Sequence, residues 1–328
     1  MKTIGELGEN GLVARLARRL ALNASVVTGI GDDCAVVRVR RGCANDLLLT
    51  SDPVIEGVHF APGTPAEHIG HKALGRVLSD IAAMGGAPLW ALIDLVAPPR
   101  TPVARLDGIY RGASRLAQRT GTAIVGGDTA RGKTLELHVF AVGRVPRGTA
   151  VLRSGARPGD RLYVTGTLGG SLQAKHLRFT PRLAEGQWLR EQGWASAMMD
   201  ISDGLATDLR RLIAASGAGA ELAADRIPTA RATWHRQDRR SPLDHALCDG
   251  EDFELLFTIA PRRAAAFEKA WRRRFRLGCA GIGRITAQRG RIELLYPDGR
   301  RDVLKVRGYE HFAGTPSPLR SEGQGEGA

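Results

Sequence analysis

Cysteine is scarce in this chain: Cys34, Cys43, Cys248 and Cys279 stand far apart, and no two form a CxxC pair. That spacing signals neither a zinc site nor a disulfide framework, so the thiols read as reduced and mostly buried. Long apolar runs are also missing. The longest, around Ala87 to Pro98, is broken by Asp94 and falls short of the roughly 20 residues a membrane helix needs, so no span is expected. Met1-Lys2-Thr3-Ile4-Gly5-Glu6 lacks the apolar run and small-residue cleavage site of a secretory signal, which makes a cytoplasmic protein the expectation. Neither common nucleotide fingerprint occurs: there is no GxxxxGK(S/T), and no GxGxxG between a strand and a helix. Gly281-Ile282-Gly283, inside an apolar run, reads as a bulge. Aromatics are only 5% of the chain, and none interleave the clusters Arg239-Arg240, Arg272–Arg274 and Arg300-Arg301. The net charge of +13 therefore reads as a solvated, arginine-rich surface, and no nucleic-acid partner is expected.

What the chain does have is aspartate beside glycine or a small hydroxyl residue: Gly31-Asp32-Asp33, Thr50-Ser51-Asp52, Ser79-Asp80, Gly126-Gly127-Asp128 and Asp200-Ile201-Ser202-Asp203-Gly204. Carboxylates and hydroxyls are the hard oxygen ligands that Mg²⁺ prefers, and adjacent glycines let backbone approach phosphate oxygens. Any one of these is more often a turn. Together, over both halves, they indicate a site for metal ions and phosphate, with a nucleotide as cargo.

At 328 residues and 43% hydrophobic content, the chain is long enough for two domains with cores of their own. Leucines and valines between Glu9 and Leu22 recur at helical intervals, predicting an amphipathic helix. Strands are predicted at Ala35 to Val39 and Leu47 to Thr50, around a turn at Gly42, then a helix from Ala66 to Met84 ended by Gly85-Gly86 and Pro88. A strand (Leu89 to Val96), a helix (Val103 to Gln118) and strands at Ala123 to Val125 and Leu135 to Val145 follow. This β-β-α-β-α-β-β order predicts a mixed α+β sheet domain over residues 1–149. After the turn-rich Arg153 to Asp160, strands at Arg161 to Thr165, Ala197 to Ile201, Glu254 to Ile259 and Cys279 to Ile285 alternate with helices at Leu205 to Ala215 and Ala264 to Phe275. A second α/β domain over residues 150–314 is expected. Residues 315–328 offer almost nothing to bury and are expected to be a disordered tail.

Read in order, Gly29 to Ala35, Thr50 to Phe60, Leu78 to Gly85, Gly126 to Thr129, Arg153 to Ala156, Tyr163 to Gly166, Asp200 to Leu205, Gly250 to Leu255 and Gly308 to Phe312 resemble the thiamine-monophosphate kinase family, over roughly residues 3 to 313. The resemblance implies a fold like that of aminoimidazole ribonucleotide synthetase. In that fold the sheet of an N-terminal α/β domain pairs with its counterpart in a homodimer, and a larger C-terminal α/β domain follows. The implied reaction is ATP plus thiamine monophosphate giving ADP and thiamine diphosphate, with several Mg²⁺ ions. By the same resemblance, Asp33, Thr50, Ser51, Asp52, Asp80, Asp128, Asp200 and Asp203 would ligate Mg²⁺. Gly127, Asp128, Arg153 and Ser202 would contact ATP, and His59, Glu251 and Tyr309 the thiamine monophosphate.

The chain departs from the family pattern at a few places. Asp249 stands where a glycine is common, which would place an extra charge near the substrate pocket. Gly170 stands where an aspartate is common, Val77 where an asparagine is usual, and the segment from Leu168 to Arg182 is brief. Alternatives within the superfamily are also open. A selenophosphate synthetase would carry a reactive cysteine before its first aspartate motif, and none precedes Cys34. A hydrogenase-maturation relative would end in a modifiable cysteine, whereas this chain ends Gly325-Glu326-Gly327-Ala328. A nonenzymatic nucleotide-binding protein would need no complete ligand set.

Overall fold

A computed structural model describes residues 3–235 and 238–304. The first helix, α1 (Ile4–Ala17), starts at a capping box between Thr3 and Glu6 and bends at Gly8. It stops before the predicted end at Leu22. Leu16, Leu20 and Leu22 are exposed, so their spacing is not that of a stripe packed on the core.

The N-terminal sheet contains β1 (Val26–Thr28), β2 (Ala35–Val37), β3 (Asn45–Ile55), β4 (Ala87–Ala97), β5 (Ala123–Gly126), β6 (Thr129–Arg131) and β7 (Glu136–Pro146), with α2 (Ala66–Ala83) and α3 (Val103–Thr120) between strands. Its order is β1-β2-β3-β7-β4-β5, with β6 also on β4. The pairs from β1 to β4 are antiparallel, and β5 and β6 run parallel to β4, as expected for a mixed sheet. Side chains alternate across it. Leu48, Val54, Ala91, Ile93, Leu137 and Val139 are buried against α2 and α3, while Ser51, Trp90, Leu92 and Asp94 point to an open face. The two helices cross closely because a Cβ at Gly70 would lie 1.8 Å from the Ile109 carbonyl oxygen and one at Gly112 1.9 Å from that of Glu67.

The second sheet contains β8 (Arg161–Thr165), β9 (Ala195–Asp200), β10 (Gly219–Ala223), β11 (Leu255–Ile259), β12 (Cys279–Thr286), β13 (Ile292–Leu295) and β14 (Arg301–Val303), in the order β14-β13-β10-β12-β8-β11-β9. The register of β12 on β8 slips between Gly281 and Gly283, the bulge the sequence predicts. Helices α4 (Leu183–Glu191), α5 (Leu205–Ser216), α6 (Pro242–Cys248) and α7 (Ala264–Arg274) complete the domain. One face packs under α5 and α6 as an aliphatic core, and the other holds Tyr163, Phe257, Phe267 and Trp271.

Helix α2 joins the two halves. It lies on the first sheet and also contacts β9 and α4 of the second, with twelve of its residues buried. A helix clamped on both sides is a rigid place from which to present side chains.

Candidate active site

Three aspartates from three elements converge where α2 meets β9. Asp33 comes from the loop after β1, Asp80 from the last turn of α2 and Asp200 from the end of β9. One ligand oxygen of each lies within 4.8 Å of the others. The hydroxyl residues that marked these motifs hold the carboxylates in place: Thr50 donates to Asp80 at 2.5 Å, Ser79 to Asp200 at 2.6 Å. Asp33 accepts from Arg153 at 2.6 Å, and its Oδ2 is buried with no hydrogen-bond partner among the described residues. Loss of hydration, then the charge of Asp33, pushes Asp200 up to about 7. Desolvation, then Asp52, Asp200 and Asp33, holds Asp80 well above the usual carboxylate range. Three carboxylates so close, with one orphaned oxygen, fit a divalent cation.

Along the same helix lies a second polar group. The Lys72 ammonium donates to the His59 carbonyl and to Glu251 at 2.5 Å, and His176 Nδ1 lies 2.8 Å from Lys72 and 2.7 Å from Glu251. Burial pulls Lys72 down to about 8, and it lowers His176 as well. Burial alone would raise Glu251, but Lys72, His176 and Arg76 overcome it and hold that carboxyl far below its usual range. Glu251 sits at φ 54° and Phe253 at φ 50°, after Gly250 at φ 75°. Left-handed backbone at non-glycine residues costs about 1 kcal/mol or more each and clusters at functional sites. Here it turns Glu251 toward Lys72 and stacks Phe253 on Phe179, with ring centroids 4.0 Å apart. Between the two groups, Arg76 reaches Asp52 at 3.2 Å and Glu251 at 3.3 Å.

The other expected residues fall in distinct places. His59 is buried, its Nδ1 accepting from the Ile55 N–H. Asp203 is paired with Arg211, and Asp208 accepts from the backbone N–H groups of Ser202 and Asp203. Asp208, not Asp203, thus ties down the turn into α5, whose cap is Gly204 without a side-chain bond. Ser51 points away from Thr50 and Asp52 to the open face, as strand alternation requires. Gly127 and Asp128 are exposed at the rim of that face, where the Asp128 N–H donates to Asp94. The described contacts do not bring them to the three-aspartate group. Tyr309 lies outside the described residues. Asp249 does not leave a bare charge in the pocket: Arg240, His245 and the Gly170 N–H all bond to it.

Residues 31–145 match the N-terminal domain of the AIR synthase related protein family, and residues 157–294 its C-terminal domain. The thiamine-monophosphate kinase of Salmonella typhimurium is 35% identical over 336 residues, covering 93% of this chain and 98% of that protein. The chain belongs to the thiamine-monophosphate kinase family. A solved structure of AaThiL complexed with AMPPCP and TMP is similar at 32% identity and a TM-score of 0.81, covering 95% of this chain and 99% of that one. Escherichia coli HypE, a hydrogenase maturation protein, shares the fold at 20% identity and a TM-score of 0.69.

Within this member of the family, the sequence reading missed Lys72, Arg76 and His176. A signal existed for the first two. Lys72, Arg76 and Asp80 recur every four residues on a helix, which places three charges on one face among the apolar Leu74, Val77, Leu78 and Ile81.

Proposed function

We propose that the chain transfers the γ-phosphoryl group of ATP to the phosphate of thiamine monophosphate, giving ADP and thiamine diphosphate. The observation that carries this reading is the carboxylate trio of Asp33, Asp80 and Asp200, set two turns along α2 from a buried polar cluster of His59, Lys72 and Glu251. Asp33, Asp80 and Asp200, with Thr50 and Asp52 beside them, would hold Mg²⁺, which when bound draws charge off the phosphate oxygens. Arg153 fixes Asp33 and faces the nucleotide side with Ser202. His59 and Glu251, tied together through Lys72, would meet the acceptor.

No strong base is needed, because a phosphate monoester already presents anionic oxygen near neutral pH. Direct in-line transfer follows. The test is ADP release measured with and without thiamine monophosphate, using ATP chiral at the γ-phosphorus. Release that depends on the acceptor, with inversion at phosphorus, is expected. Retention, or a phosphorylated protein after ATP alone, would sink the mechanism.

The active form in this reading is a homodimer. The open face of the first sheet carries Trp90, 48% exposed, and Leu92, 39% exposed, beside Ser51 and Asp94. A second copy laid on it would cover these apolar side chains and bring Gly127 and Asp128 to a nucleotide held between subunits. Light scattering should give twice the chain mass, and Trp90→Glu should give single chains. A fully active wild-type monomer would reject the shared interface.

A further inference from the structure

Helix α2 presents a line of charge running from one polar group to the other. Lys72, Arg76 and Asp80 are successive four-residue steps, each about 6 Å along the axis, and they share a face. Lys72 lies among the acceptor-pocket residues and Asp80 among the three aspartates, so Arg76 stands at the junction. The basic residues along this line, Lys72, Arg76 and Arg153 beyond it, differ in how far they are held by close partners. An ammonium has three donors, and Lys72 is enclosed by the His59 carbonyl and Glu251, to which it donates, and by His176 at 2.8 Å. Arg153, at the far end, makes a tight ion pair with Asp33 at 2.6 Å, although its Nε too has no hydrogen-bond partner among the described residues. Arg76 has five donors and makes two single contacts, at 3.2 Å to Asp52 and 3.3 Å to Glu251. Both are longer than the roughly 2.7–2.9 Å of a tight charge-assisted bond. Its side chain is only 13% exposed, and its Nε is buried with no hydrogen-bond partner among the described residues.

We infer that Arg76 grips the acceptor's phosphate and holds it in line with the nucleotide. A planar guanidinium with spare N–H groups on Nε and both Nη atoms suits two phosphate oxygens at once. In the reaction, an oxygen of the gripped phosphate forms the new bond to the γ-phosphorus. The bond from that phosphorus to the bridging oxygen breaks, and its electron pair leaves with ADP. Arg76 stays charged throughout and offsets the repulsion between two phosphate anions brought into contact. The carboxylates of Asp52 and Glu251 on either side orient the guanidinium while it waits.

This inference rests on the kinase reading above, and the experiment separates the two. Calorimetric titration with thiamine monophosphate and with thiamine, each in the presence of Mg²⁺ and a nonhydrolysable ATP analogue, measures what the phosphate contributes to binding. The wild type should prefer the monophosphate at least tenfold. Arg76→Gln should bring the two affinities together, leave thiamine binding within twofold, leave the analogue's affinity unchanged and lower kcat/KM for the monophosphate at least a hundredfold. If Arg76→Gln does not melt cooperatively, Arg76→Lys carries the test, since a single-point cation should still lose most of the preference. An active wild type whose preference survives in these variants overturns the role of Arg76 alone. A wild type that neither binds nor turns over the monophosphate overturns the kinase reading, and this inference with it.

Discussion

Two polar groups lie within a few turns of each other on one helix, and they are built on opposite principles. Around Lys72 the charges balance: one ammonium, one carboxylate and the edge of Arg76 satisfy each other inside the protein, and the result is a fixed shape. Around Asp80 they do not balance. Three carboxylates face each other with Arg153 on one side, one buried oxygen is left over, and Asp80 and Asp200 are pushed toward the protonated state. A balanced group positions something; an unbalanced one awaits a charge from outside. On the proposed function the first would shape the acceptor's site and the second would take the cation and nucleotide, and the contrast can be attacked from either end.

The largest effect should come from the unbalanced side. Asp80→Asn removes one ligand oxygen from the trio while keeping a side chain that can accept from Thr50. Turnover should fall by about a thousandfold, or about 4 kcal/mol of transition-state stabilisation, a loss typical of one preorganised charge partner. The metal-free variant should melt higher than the wild type, because a like charge has gone. Activity near the wild-type level at saturating Mg²⁺ would remove Asp80 from the site.

The balanced side should answer in stability. Lys72→Met leaves Glu251 buried without its main partner, which should cost about 3 kcal/mol in urea unfolding. Lys72→Met with Glu251→Gln removes both charges and should cost less than the sum of the two single changes. Additive costs would show that the pair is not coupled.

The sequence made one side of this contrast much easier to read than the other. Asp33, Asp80 and Asp200 each carry a local signature of glycine or hydroxyl neighbours, and Thr50 and Ser79 prove to be the groups bonded to the aspartates. Lys72 and Arg76 carry no such mark, because a base on a helix reads as a solvated charge until packing shows that the helix is covered on both sides. His176 sits in a short 3-10 turn whose sequence has no periodic pattern. The same holds for the fold. The long strands β4 and β7 and the helices α2 and α3 were legible from alternation and spacing, whereas β3 was read only as Leu47 to Thr50 and runs from Asn45 to Ile55. The three-residue strands β1, β6 and β14 were not, since so short a run has no period, and α4, α6, β10 and β13 lie in stretches where glycine and charge blur the pattern. Helix α1 was placed too late because its start is set by the Thr3 and Glu6 cap, while the leucines that follow it stay exposed.

The smallest effect sharpens the contrast most, because it depends on sign. A carboxyl raised in the folded state binds more protons there than in the unfolded chain, so its contribution to stability is present at low pH and is lost as pH rises through the folded value. With Asp200 raised to about 7 and Asp80 well above its usual range, the metal-free protein should lose stability between about pH 4 and 7. Glu251 and Lys72 of the balanced group act outside that window. Glu251 is held low, so its contribution is lost only at more acid pH, and Lys72, lowered to about 8, titrates above it. Asp252, raised to about 8, and His71 and His176, lowered by burial, also titrate near this range. The informative quantity is therefore the difference between the wild type and Asp200→Asn, not the slope itself. Mg²⁺ binds ionised carboxylates in competition with protons, so it should raise the melting temperature more at pH 8 than at pH 5. A differential of about 1 kcal/mol would appear as roughly 1–2 °C in a chain of 328 residues. In Asp200→Asn the pH dependence of the Mg²⁺ effect should shrink. An equal Mg²⁺ shift at both pH values, or no change in the variant, would mean that the cation is held elsewhere and that the crowded aspartates serve only the fold.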